Sequence, residues 1–107
     1  MADVVSAIAD VKKYDKGADD ALITAVFKGL GPAVHNRDAS LVSCSDQAEL
    51  DRVRDNFLIK KLGMSKAPEL DAAIKEVCET MKETRQKSRV TFYYLLTKKF
   101  GKESVYA

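Results

Sequence analysis

Lys87-Ser88-Arg89-Val90-Thr91-Phe92-Tyr93-Tyr94-Leu95-Leu96-Thr97-Lys98-Lys99-Phe100-Gly101 is the stretch on which the fold turns. Val90 to Leu96 carry no charge, and Phe92, Tyr93 and Tyr94 stand side by side. Val-Thr-Phe-Tyr-Tyr has strand propensity, and periodicity alone does not exclude a strand. Three features select a helix instead. Ser88 is placed to cap its start, accepting from backbone N–H groups that have no helical partner. Lys98 and Lys99 fall in its last turn, where cations oppose the negative end of the dipole. Gly101 follows where a left-handed residue usually stops a helix. A helix apolar on most faces belongs at the centre of a fold, touched by several others.

Working outward, the other segments read as amphipathic helices that pack around it. Val4, Val5, Ile8 and Val11 repeat at helical spacing over 3–14, behind Asp3 as cap. Asp19 or Asp20 opens a second helix over 19–30, which ends where Gly29, Gly31 and Pro32 weaken it. Residues 31–45 are irregular, with Asp38–Val42 expected as one helical turn pinned to the core by Leu41 and Val42. A third helix spans 46–62, where Asp46-Gln47-Ala48-Glu49 reads as a capping-box variant. A fourth spans 68–82, with Pro68 tolerated in its first turn. The polar turn Thr84–Lys87 leads into the central helix at 89–100, and 102–107 read as a tail.

The expected class is therefore all-α without a sheet: about five short helices in one domain spanning 1–107. Two strings recur. Asp20–Val26 resembles Asp71–Val77, and Phe57–Gly63 resembles Leu95–Gly101. The echo suggests two repeated helical hairpins around the C-terminal helix; the alternative is that capped amphipathic helices simply look alike.

Composition is that of an ordinary globular protein, with 46% apolar and 32% charged residues. The net charge of +2 points to no partner, but its distribution is uneven. Seven Lys or Arg against Glu83 alone give residues 82–102 about +6, leaving about −4 for the rest. No apolar run approaches the roughly 20 residues of a membrane span, and Met1-Ala2-Asp3 is no basic leader. Cys44 and Cys78 have no framework spacing and are expected as free thiols in a reducing cytoplasm, with a disulfide between them as the lower-ranked alternative.

Lys87–Leu96, Asp38–Val42, Cys44-Ser45-Asp46 and Arg52-Val53-Arg54-Asp55 together resemble the small bacterial family known as domain of unknown function 2853. The likeness covers nearly the whole chain. It implies a compact all-helical bacterial protein with no assigned activity, and it carries over no functional residue.

The residues themselves offer three classes of function. His35 is the sole histidine, so no histidine-based metal cluster is available and no cofactor is expected. A cysteine-dependent enzyme would use Cys44, ahead of a predicted helix N-terminus, with His35 as base, but nothing in the sequence orients that histidine. Cys78 reads as core. The acids Glu76, Glu79 and Glu83 lack the Glu-x-x-His pattern of di-iron bundles and read as a solvated face. A nucleic-acid contact would use Lys82, Arg85, Lys87 and Arg89, yet the helix that follows offers few polar side chains to read a groove. The reading ranked first is a non-catalytic binding or scaffold module, with an unidentified protein or a second copy as partner. Its candidate interface is Tyr93, Tyr94 and Tyr106, since tyrosine anchors contacts well.

Overall fold

A computed structural model describes residues 4–31, 41–84 and 87–106. Asp3, His35, Asp38–Ser40 and Arg85 lie outside these. Among the described residues there are five α-helices: α1 (Val4–Lys12), α2 (Asp20–Gly29), α3 (Gln47–Arg52), α4 (Pro68–Thr80) and α5 (Arg89–Lys99). A π-helix, Val53–Ile59, continues α3, and a 3₁₀-helix, Glu103–Tyr106, follows α5. Two short strands, β1 (Leu41–Val42) and β2 (Lys87–Ser88), pair antiparallel with Leu41 opposite Ser88 and Val42 opposite Lys87.

The quoted stretch is a helix and lies at the centre. Val90, Thr91, Phe92, Tyr93, Tyr94, Leu96 and Thr97 of α5 are all buried, and α1, α2 and α4 all pack on it. Its C-terminus is closed as a Schellman motif. Gly101 has φ +63°, its N–H donates to Lys98 O at 3.2 Å, and Lys102 N–H donates to Thr97 O at 3.0 Å. The start differs from the expectation: Ser88 is extended and makes no side-chain cap bond, because its backbone belongs to β2.

Asp19 and Asp46 do cap their helices, accepting from Ala21 N at 2.9 Å and Ala48 N at 3.0 Å. Half of the expected capping box is missing, however. Glu49 turns to Arg89 and Arg52, and Asp46 N–H donates instead to Ser43 O at 3.3 Å.

Three further expectations are corrected. Leu41–Val42 is strand rather than helical turn, so the fold contains a small sheet after all; Val42 is buried as foreseen. The helix expected over 46–62 changes character at Val53, where backbone bonds widen to Lys60 N→Asp55 O and Leu62 N→Phe57 O. The tail is structured, its 3₁₀-helix resting on α2. Of the two hairpins, α4 with α5 is present, while α2 packs chiefly on α1 and α5 rather than on α3. The echo survives locally: Gly63 and Gly101 both have positive φ, +70° and +63°.

Hydroxyls of the central helix are tied to acids of the first helix and of the turn that follows it. Thr91 Oγ1 donates to Asp10 Oδ2, and Tyr94 OH donates to Asp15 Oδ2 at 3.0 Å. Thr97 Oγ1 bonds back to Tyr93 O at 2.8 Å. Among the described residues no buried side-chain nitrogen or oxygen lacks a partner. These threonines are thus buried without the penalty of an unmade hydrogen bond.

Candidate functional site

The residues proposed from sequence separate into a buried network and a surface depression. Arg89 opens α5 and turns inward. Its guanidinium donates to Glu49 Oε1, to Leu41 O at 3.0 Å and to Tyr93 OH at 2.8 Å. Only 14% of the Arg89 side chain and 12% of the Glu49 side chain remain exposed. Burial by itself would lower the Arg89 pKa, but Tyr93 and Glu49 hold it above its ordinary value. The Tyr93 hydroxyl is pushed up by burial, against the opposing pull of Arg89. Its ring stacks on Phe57 of the π-helix, centroids 3.8 Å apart. Arg89 is therefore a structural clamp joining β1, α3 and α5.

The tyrosines of the candidate interface also turn toward the interior of the chain. Tyr94 is wholly buried and Tyr93 nearly so, both with bonded hydroxyls. Tyr106 is half-buried against its own chain: its ring lies under Lys61 Nζ at 5.0 Å, and Gly29 faces its Cε1. The only exposed large hydrophobic residues among those described are Val5 and Val105.

Arg54, in the π-helix, spans neighbouring acids: Asp55 at 2.9 Å, Asp71 of α4 at 3.2 Å and Asp51 at 3.5 Å. Hydrogen bonding to Asp55 leads the causes that hold its pKa high, against an opposing desolvation. The same contact with Arg54 holds the Asp55 carboxyl below its usual range. The Arg-x-Arg-Asp string thus fastens the π-helix to the start of α4.

The second cluster is at the surface. Cys44 and Cys78 form a disulfide, Cα–Cα 5.9 Å across a sequence separation of 34, which overturns the expectation of free thiols and of Cys44 as a reactive one. β2 follows the turn after α4, and β1 pairs with β2, so the chain leaving β1 runs past the end of α4. That brings the two cysteines within bonding range. Cys78 is only half-buried, not core. The thiol-based argument for a reducing compartment loses its premise. Sequence spacing carried no sign of this pairing, because it depends on two strands of two residues each.

The disulfide borders a depression of about 370 Å³ lined by Val42, Ser43, Cys44, Ser45, Cys78, Lys82 and Lys87. Lys87 Nζ donates to Thr84 O at 2.7 Å, and Lys82 forms an exposed pair with Glu79 at 3.2 Å. Both lysines proposed from sequence therefore line the depression beside the disulfide. Two other depressions are of mixed charge: one is lined by Asp19, Lys98 and Glu103, the other by Glu76, Glu79 and Lys99. No group of three or more His, Cys, Asp or Glu residues suited to a metal is found among the described residues. No helix there is long and apolar enough to cross a membrane.

A central apolar helix, an inward Arg–Glu clamp and a disulfide-fastened two-strand clasp define a small, predominantly helical domain. A family model described as a protein of unknown function (DUF2853) matches residues 6–104, and the chain belongs to that family. No curated protein matches the chain. The strings that carried the resemblance have structural roles: Asp46 caps α3, Cys44 closes the disulfide, and Arg54 links the π-helix to α4.

Proposed function

We propose that the chain is a small, non-catalytic protein-binding module that receives an acidic segment of its partner at the depression beside Cys44–Cys78. The observation that carries this reading is the lining itself. Lys82 and Lys87 put cationic charge at the rim, and Ser43 and Ser45 add hydroxyls, over Val42 and the disulfide. Potentials complementary across a contact steer encounter and select partners by charge. Among the described residues no buried side-chain nitrogen or oxygen is left without a partner, which favours the surface as the place of function. A nucleic-acid role is the weaker reading, since Arg89 is committed to Glu49. Self-association through the tyrosines is weaker still, since Tyr93 and Tyr94 are in the core.

A titration followed by NMR separates these readings. A glutamate-rich peptide should shift the amides of Ser43, Ser45, Cys78 and Lys87, and Lys82→Glu with Lys87→Glu should abolish the response. A duplex oligonucleotide of equal charge should bind more weakly at physiological salt. No response to the peptide, or tighter binding of the duplex, would remove this reading.

A further inference from the structure

We infer that the Cys44–Cys78 disulfide is a thiol-exchange site, at which an incoming thiolate attacks Cys78 Sγ and expels Cys44 as a thiolate. The reactant class is a small thiol or the reactive thiol of a reducing protein. The geometry supplies both access and direction. Each cysteine is half-buried, and both line the depression rather than lying sealed in the core. Exposed disulfides are the exchange-prone ones, whereas enclosed structural ones resist reduction.

Direction follows from where each sulfur sits. Cys78 lies near the C-terminus of the 13-residue α4, where unpaired carbonyls form the negative end of the helix and disfavour a thiolate. Cys44 lies between β1 and α3, outside any helix, so once the bond breaks its thiolate is no longer held at that end. The thiol of lower pKa leaves faster, so Cys44 is the better leaving group. Lys82 and Lys87 line the same depression and favour both the approach of an anionic thiolate and the charge that develops on Cys44. Among nearby acids, Glu79 is paired with Lys82, and the Asp46 carboxylate accepts from Ala48 N.

In the first step a bond forms between the incoming sulfur and Cys78 Sγ. The Cys44–Cys78 bond breaks, and its electron pair stays on Cys44. A second thiolate then attacks the incoming sulfur of the mixed disulfide, forming the small disulfide and releasing Cys78, which takes up a proton. Two thiols are oxidised while one protein disulfide is reduced to two thiols. Opening the bond frees segment 43–46 from α4, while the β1–β2 pairing and the Arg89 clamp are held by separate contacts. This chemistry stands whether or not an acidic partner binds.

The test uses the full oxidised chain and 2-mercaptoethanol near neutral pH, with acid quenching, alkylation and peptide mapping by mass spectrometry. The first adduct should map to Cys78, with Cys44 alkylated. Lys82→Gln with Lys87→Gln, two changes on the surface, should slow that step about threefold to fivefold at low ionic strength. An adduct on Cys44, an unchanged rate in the lysine variant, or reduction no faster than global unfolding measured by hydrogen exchange would each overturn the inference.

Discussion

Replacing Arg89 by methionine tests the centre of the structure most directly. The substitution keeps a long side chain at the start of α5 but removes every donor. It strands the Glu49 carboxylate, whose side chain is 12% exposed, and takes the guanidinium from Leu41 O and Tyr93 OH. Breaking a buried pair by removing one partner costs about 3–5 kcal/mol, because the remaining charge is left uncompensated. Arg52 remains 2.8 Å from Glu49, but its own side chain is 58% exposed. It screens that carboxylate only in part, which brings the expected loss to about 2–4 kcal/mol. Against a total of about 5–15 kcal/mol for a domain of this kind, that is a large fraction. Urea denaturation at constant m-value measures it. The double variant Arg89→Met/Glu49→Leu should recover much of the loss, since a well-packed apolar pair often replaces a buried ion pair without penalty. Strict additivity of the two single changes, or a loss below about 0.5 kcal/mol for Arg89→Met, would refute the clamp.

Other outcomes follow from the same packing. Reduction of Cys44–Cys78 should destabilise the fold by about 3–4 kcal/mol on the chain-entropy model for a separation of 34 residues, read as the difference between urea curves with and without reductant. Phe92→Ala and Leu96→Ala should each cost about 2–5 kcal/mol, and Tyr94→Ala should fall in the same range, because all three are fully buried; thermal or urea unfolding gives the order. Burial, followed by the bond to Asp15, pushes Tyr94 up to about 12, and burial does the same for Tyr106. The fold thus retains these protons at pH values where the unfolded chain, with tyrosine near 10, loses them. Their contribution is fully present below about pH 10 and is lost as pH rises through about 12, and Tyr94→Phe should flatten that decline in a tyrosinate absorbance and melting series.

The helices were legible because their signals are local. Periodicity in α1, α2 and α4, the Asp19 and Asp46 caps and the Gly101 stop each act within a few residues, and each holds. Tyr93 and Tyr94 misled because helical spacing says which residues share a face, not how many faces a neighbour covers. Here the turn after α1 supplies Asp15 to bond the Tyr94 hydroxyl, and α3 with the π-helix covers Tyr93. The basic cluster shows a related limit. Its formal charge is visible in the sequence, but whether Arg89 faces solvent depends on Glu49, forty positions away.

That Glu49 serves Arg89 rather than its own helix start links the unforeseen features. A carboxylate at the third position of α3 would ordinarily reach back to the cap residue's N–H. Here that N–H is satisfied by Ser43 O, which lies between β1 and the cap. Glu49 is thereby released to meet Arg89, and Arg89 in turn donates to Leu41 O of β1. β1 and the first residues of α3 are thus held from two directions: by Arg89 through Glu49 and Leu41, and by Cys78 through Cys44. The clasp of two strands carries few backbone bonds of its own, so it depends on both. Loss of the disulfide alone leaves the clamp as the remaining tie and should loosen the segment without releasing β1. Loss of both should expose the Val42 side of α5. Hydrogen exchange at Val42, Ser43 and Asp46 in reduced wild type and reduced Arg89→Met distinguishes the two states. Exchange at these amides should rise far more in the reduced variant than the two single perturbations predict when added. Simple additivity would mean that β1 is held by something other than this pair of ties.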